Sequence, residues 1–349
     1  MKKKSALLFI FLFICITYFI WFFYFKPIQI SSAFYFWETE RNDFSDYEKE
    51  TLKSTDTKKL YVKFFEVEND ATFGIIPTEK TNLFTKTKGL NLEIIPTIYI
   101  RNEVFKTIKS TRLTELAENI NFLINKKFNE NFTNSKKSFQ EIQIDCDWTE
   151  SSKKNYFIFL KALKKISSKQ ISATLRLYAY KFPAEMGVLP VDRAMLMCYN
   201  LISPPEAKNK NSILDLNELK KYLIGSDVYP IPLDIALPIY SSIQLYKNNH
   251  LAGIFYNETE QFVQNLRKEK KYWYRIINDT VVNDIFLRKN DIVKFEKCTF
   301  KELMKAIEIV NENVTFSTST TIVLYNLQET ELKQYKNEEL LNLFHSIHR

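Results

Sequence analysis

From residue 33 onward, short runs of apolar and β-branched residues alternate with stretches of helical period. The runs 33–38, 60–67, 92–98, 141–148, 171–178, 194–200, 233–240 and 321–326 read as strands. Between them, Leu113, Leu116, Ile120, Leu123 and Ile124 fall on one helical face. Tyr156, Phe159, Leu160 and Leu163 form a second apolar stripe, behind a cap at Ser151 or Ser152. A third helix is predicted from about Asp215 to Ile224, ending where Gly225 can take a left-handed conformation. Thr299 and Glu302 have the spacing of a capping box ahead of Leu303, Ala306 and Ile307. Asn337 is placed to cap a last helix carrying Leu340, Leu341 and Phe344. Eight strands alternating with helices predict an α/β fold, a (β/α)8 TIM-like barrel over residues 33–349. The alternative is an open α/β sheet, which scarce glycine disfavours. The stretch 241–313 is too long for one strand-helix unit; its runs 251–256, 281–287 and 292–297 read as strands of an inserted β-rich segment.

Ahead of this pattern lies a different one. Residues 5–25 form an uncharged run of about 21 residues, rich in Phe, Leu and Ile. As a helix it spans about 30 Å, the thickness of a bilayer core. Lys2, Lys3 and Lys4 precede it and Lys26 follows closely. The expectation is a cytoplasmic tip at 1–4, a transmembrane anchor at 5–25 and a connector at 26–32, with the bulk of the chain periplasmic or extracellular. The run ends in Trp21, Phe22, Phe23, Tyr24 and Phe25 and has no small-residue cleavage pattern, so a signal-anchor is expected rather than a cleaved peptide. Cys15 follows Ile14, which is no lipobox. The lipid bilayer is thus the first expected partner.

Composition removes several kinds of chemistry. The chain has 349 residues and a formal charge of +8, four of whose cations are Lys2, Lys3, Lys4 and Lys26. The remaining charge is scattered along helices, so a nucleic-acid partner is not expected. The five glycines, at 74, 89, 187, 225 and 253, are too dispersed for a phosphate-cradling loop, which excludes a nucleotide partner. The histidines are His250, His345 and His348, and the cysteines Cys15, Cys146, Cys198 and Cys298 have no metal or redox spacing. No metal and no cofactor are expected. Carboxylates, tyrosines and amides remain to carry any chemistry.

In a barrel of this kind, functional groups gather where the strands end. The strand ends supply Trp37 and Glu38, Glu66, Asp145 to Trp148, Arg176 and Tyr178, Tyr199 and Asn200, Tyr240, and Tyr325 and Asn326. In the fourth strand, alternation puts Gln143, Asp145 and Asp147 on one face and Ile142, Ile144 and Cys146 on the other. Two carboxylates at i and i+2 repel, so one should hold its proton to higher pH, while Arg176 on the next strand is placed to keep the other ionised. For Glu38 and Glu66, alternation leaves open whether they face the mouth or the helices. Trp37, Trp148, Tyr178, Tyr199 and Tyr325 are candidates for stacking on sugar rings.

The run Ile144-Asp145-Cys146-Asp147-Trp148 resembles the end of the fourth barrel strand in chitinase-like glycoside hydrolases. There an Asp-x-Asp-x-Glu arrangement follows an earlier Asp, and the Glu is the general acid. Asp145 and Asp147 match the two later aspartates and Trp148 the frequent aromatic. Thr149 stands at the Glu position, Glu150 one residue beyond it, and Ile142 at the earlier Asp. More broadly, the chain is similar to an uncharacterised family of exported bacterial TIM-barrel proteins. That likeness rests on runs 142–149, 172–177, 190–197 and 232–238 and covers most of residues 33–326. It implies a glycosidase-like barrel.

The resulting expectation is a membrane-anchored, extracytoplasmic glycoside hydrolase-like protein acting on an envelope or environmental polysaccharide through paired carboxylates. Asp147 is the expected proton donor, Asp145 its electrostatic partner, and Glu38 or Glu66 the second carboxylate. The substrate-binding set is Trp37, Trp148, Arg176, Tyr178, Tyr199, Asn200, Tyr240, Tyr325 and Asn326. The alternatives are a non-catalytic glycan binder and a structural envelope component that docks through 241–313.

Overall fold

The computed structural model describes residues 28–38, 43–81, 90–132, 138–256, 259–264, 266–282 and 285–347. The expected cytoplasmic tip at 1–4 and anchor at 5–25 lie outside the described residues, and the expected connector at 26–32 is cut short because the first strand already begins at Gln29. Among the described residues no helix is long and apolar enough to cross a membrane.

The eight predicted strands all form, as Gln29–Phe36, Lys59–Asp70, Glu93–Ile100, Glu141–Asp145, Gln170–Arg176, Arg193–Met197, Leu233–Pro238 and Ser319–Tyr325. They pair in parallel, each with its sequence neighbour. The first also pairs with the eighth, Ala33 opposite Val323, and this closes the barrel. The outward residues of the fourth strand, Ile142 and Ile144, are fully buried. Such covered positions explain why the strands read as nearly continuous apolar runs.

Helices cover the outside. Leu113–Phe132 and Glu150–Ser167 lie side by side, and Phe300–Asn313 packs on Leu216–Leu223. The Thr299 hydroxyl accepts the Glu302 N–H at 3.3 Å, and the Thr299 N–H donates to the Glu302 carboxylate at 2.9 Å, which is the expected capping box. Asp215 caps the helix Leu216–Leu223, and Gly225 beyond its end has a φ of 71°. The cap of Glu150–Ser167 is Thr149, earlier than the expected Ser151 or Ser152. The last helix contains Asn337 rather than starting after it.

Between strands seven and eight the chain builds a five-stranded antiparallel sheet in the order His250–Tyr256, Ser242–Lys247, Ile292–Glu296, Trp273–Arg275, Arg267–Lys270. Asn248 and Asn249 make its first tight turn, both with positive φ, 49° and 64°. Asparagine tolerates that conformation, and two such residues suit a turn matching the twist of the flanking strands. The sheet has a small core of its own, including Ile243, Leu245, Val293 and Phe295.

Candidate functional site

Polar side chains inside the barrel tie its strands together at successive levels. At the N-terminal end the Arg193 guanidinium grips the Asp234 carboxylate through two bonds of 2.9 and 2.6 Å, and Asp234 also accepts the Thr321 N–H at 2.6 Å. Ser172 donates to buried Glu141 at 2.6 Å. One level higher, Tyr35 donates to Gln143 Oε1 at 2.6 Å. Each of these side chains finds a partner on another strand, which offsets much of the cost of taking it out of water, although Gln143 uses only its oxygen.

Above this column a cavity of about 580 Å³ opens at the C-terminal mouth, and every barrel strand or the segment just after it contributes a side chain. The structure brings together Trp37, Glu38, Glu66, Asp145, Asp147, Arg176, Tyr199, Asn200, Tyr240, Tyr325 and Asn326, all picked out from strand ends. Two of the chosen residues do not join them. Trp148 shares the parity of Ile144 and Cys146, so it turns outward; it is buried against Tyr156 and Phe157, its ring centroid 5.2 Å from the latter. Tyr178 is not on a strand at all. The fifth strand stops at Arg176, and Tyr178 sits exposed on the short helix Leu177–Lys181, donating to Glu185 at 3.0 Å. Both residues line a separate recess of about 260 Å³ that includes Thr149 and Glu150.

The fourth and fifth strands set the chemistry of the mouth. The Cys146 N–H donates to Thr174 Oγ1 at 3.3 Å, and the Thr174 hydroxyl donates onward to Asp145 Oδ1 at 2.7 Å. Burial pushes the Asp145 carboxyl up to about 7. The Thr174 bond and Arg176 oppose that rise, and the negative charges of Asp147 and Glu66 add to it. Asp147 instead pairs with Arg176 at 2.8 Å, and the same guanidinium donates to the Asn200 carbonyl at 3.3 Å. Asn200 holds a positive φ of 54°, and its side-chain oxygen accepts the Tyr240 hydroxyl at 2.5 Å.

Strand ends alone did not reveal Lys63, Glu79, Tyr99, Met197 or Tyr256, which also line the cavity. Lys63 is buried at 4% exposure, with Glu66 and Glu79 each 2.9 Å from its ammonium and the Trp37 ring 5.6 Å away. A bulge between Lys63 and Phe65 shifts the register of the second strand against the third. Strict alternation from Lys63 would send Glu66 outward; the extra residue returns it to the mouth. Burial raises the Glu66 carboxyl, while the Lys63 hydrogen bond pulls it down. The signal in the sequence was Lys63 itself, a cation inside the run Leu60-Tyr61-Val62-Lys63-Phe64-Phe65.

Aromatic rings form one wall. Tyr325 stacks on Tyr199 with centroids 5.6 Å apart and meets Tyr240 edge-on at 5.5 Å, and Tyr256 of the inserted sheet joins Tyr240 at 5.9 Å. Buried Asn326 leaves its side-chain oxygen, and Gln143 its amide nitrogen, without a partner among the described residues. Each such group costs free energy in the folded state. Among the described residues no group of three or more His, Cys, Asp or Glu is arranged to hold a metal ion.

No protein-family model matches the sequence, and no curated protein is detected as a relative. Solved structures do match the fold. The spore cortex-lytic enzyme SleL of Bacillus megaterium QM B1551 superposes with a TM-score of 0.53 at 13% identity, covering 92% of this chain and 75% of that one. SleL of Bacillus cereus gives 0.50 at 14% identity, covering 91% and 74%. The C-terminal domain of a chitinase-like protein of Desulfitobacterium hafniense DCB-2 gives 0.51 at 12%, covering 91% and 98%. The chain shares the TIM-like barrel fold of these structures.

Proposed function

We propose that this chain is a membrane-anchored, extracytoplasmic glycoside hydrolase-like enzyme that cleaves an envelope or environmental polysaccharide at the mouth of its barrel. The observation that carries the reading is one open cavity in which a carboxyl pushed up to about 7, four further carboxylates and a wall of tyrosines meet. Anchoring rests on the uncharged run 5–25 behind Lys2, Lys3 and Lys4.

The geometry favours a division of labour opposite to the one the sequence suggested. Asp145, half-buried and protonated up to near-neutral pH, is the proton donor to the glycosidic oxygen. Asp147 keeps one oxygen on Arg176 and acts on the charge that develops at the sugar. The C1–O bond breaks as the Asp145 proton reaches the leaving oxygen. Water then supplies hydroxide to C1, its proton going to a second carboxylate, Glu66 or Glu38. Tyr199, Tyr240 and Tyr325 present rings to sugar C–H faces, and the Asn326 side chain lines the same cavity.

The test is product detection by mass spectrometry when the wild-type chain and Asp145→Asn are incubated with cell-wall and capsular polysaccharides. Products from the wild type that vanish with Asp145→Asn support the reading. Equal turnover by both overturns the role of Asp145.

One observation favours a second reading, a binder that does not cleave. Thr149, at the position of the general acid in chitinase-like enzymes, is spent as a helix cap and stands outside the main cavity. Saturable glycan binding with no products would select that reading.

A further inference from the structure

We propose that the inserted sheet carries a second saccharide site, separate from the barrel mouth, that takes an acidic sugar ring. A recess of about 340 Å³ lies between the outer part of the sheet and the loop after the sixth strand. That volume falls within the roughly 300–1,000 Å³ typical of small-ligand sites. Its aromatic surface is Trp273 and Tyr246, with centroids 5.2 Å apart. Asn209 and Asn249 supply amides at the rim, and Lys208 and Lys270 supply the charge.

The recess is built rather than incidental. The Trp273 indole N–H donates to the Lys208 carbonyl at 3.0 Å, which fixes the ring against the loop. Beneath the ring, the ammonium of buried Lys294 lies 5.6 Å from its centroid and is neutralised by Glu296 at 2.6 Å. The Asn248-Asn249 turn, with both residues at positive φ, sets Asn249 at the edge. A half-buried indole with amides beside it suits the apolar face and hydroxyl edge of a pyranose.

The electrostatics select the kind of sugar. No Asp or Glu is among the lining residues. Glu269, on the same strand as Lys270, is occupied by Arg267 and Arg275, each 2.8 Å away. Neither Lys208 nor Lys270 has a carboxylate within ion-pair distance among the described residues; the Lys270 ammonium rests 5.3 Å from the Trp273 ring centroid. A carboxylate on a stacked ring would meet two unneutralised ammonium groups, whereas a neutral sugar would gain only the stacking.

The experiment is calorimetric titration of the full chain with galacturonate, mannuronate and guluronate trimers, the methyl ester of the first, and inorganic phosphate. At least one uronate trimer should bind saturably, at least about tenfold more tightly than the ester, with an affinity that falls as salt rises. K208Q/K270Q, both exposed substitutions, should lose that tenfold preference with an unchanged thermal midpoint and unchanged turnover of a short neutral glycan. The same binding should survive Asp145→Asn, which separates this site from the reading of the barrel mouth. Absence of binding by all three trimers at millimolar concentration, equal binding of ester and acid, or binding of phosphate as tight as the trimer would each overturn the proposal. So would a preference that K208Q/K270Q leaves intact.

Discussion

The Thr174 hydroxyl donates to Asp145 Oδ1 across 2.7 Å, and its own oxygen is already taken by the Cys146 N–H. The hydroxyl proton therefore has one place to go, and one Asp145 oxygen is committed to the neighbouring strand. The other is left to carry the proton that burial retains up to about pH 7. Turnover should therefore fall on an alkaline limb near pH 7, and Thr174→Val should move that limb to higher pH, because it removes a hydrogen bond that favours the ionised form. Rate profiles of the two proteins from pH 5 to 9 would check this; a limb that Thr174→Val leaves in place would remove Asp145 from the proton-donor role.

The same group sets a stability trend. Its folded value, about 7, exceeds its ordinary value of 3.8, so the folded protein takes up this proton first. The stability it contributes is whole below about pH 3.8 and is lost as pH rises through about 7. Each unit of difference corresponds to about 1.4 kcal/mol, so the full swing is on the order of a few kcal/mol, reduced where solvent enters the cavity. Asp145→Asn cannot ionise. Its urea midpoint should gain on that of the wild type between pH 4 and 7.5, then run parallel to it. A constant offset across that range would contradict the assignment.

Lys63 tests how the mouth is held together. Its ammonium is the cation nearest to buried Glu66 and also reaches Glu79. Lys63→Met leaves the Glu66 charge in a poorly solvated site and should cost about 3–5 kcal/mol at pH 8, by denaturant unfolding. Adding Glu66→Gln removes that charge and should restore much of the loss. Simple additivity of the two losses would mean that Lys63 acts through packing on Trp37.

The fold was legible because burial on both faces makes each barrel strand a run of apolar and β-branched residues, and eight such runs leave few architectures. The acidic mouth was legible because alternation in Gln143, Asp145 and Asp147 is strict. Trp148 could have been excluded by that alternation, since it shares the parity of Ile144 and Cys146, residues that the sequence already placed against the helices. Tyr178 could not: nothing in Arg176-Leu177-Tyr178 marks where the strand gives way to a helix. Glu66 depended on a bulge, and a bulge is a relationship between two strands that one strand's sequence does not contain. Tyr256 belongs to the inserted sheet, and its approach to Tyr240 follows from how that sheet docks.

At the opposite end of the barrel, Asp234 joins three strands by accepting from Arg193 and from the Thr321 N–H. Asp234→Ala leaves Arg193 largely buried without its carboxylate and an amide without its acceptor, so a loss of about 3–5 kcal/mol is expected. Because Asp234 does not line the mouth, saccharide affinity of the folded fraction should be unchanged. Urea unfolding and titration calorimetry measure the two quantities separately. A variant that folds as well as the wild type but loses ligand would show that the two ends of the barrel are coupled.

Docking of the inserted sheet depends on a buried knot around Glu296. Its carboxylate holds Lys294 at 2.6 Å, accepts the Ser212 N–H at 2.9 Å and accepts the Gln244 amide at 2.7 Å. Lys294 in turn donates to the Lys210 carbonyl at 2.8 Å, so both charges bridge the sheet and the loop after the sixth strand. Glu296→Gln keeps the shape but leaves the Lys294 ammonium buried without a counter-charge, which should favour local opening of the contact. Amide hydrogen exchange should then accelerate at least about tenfold in 210–214 and 242–247, while the strands 141–145 and 170–176 keep their protection. Tyr256 reaches the cavity from this sheet, so saccharide affinity at the mouth should weaken in the same variant. Exchange that rises evenly through the barrel would instead mark Glu296 as a support of global stability rather than of the docking contact.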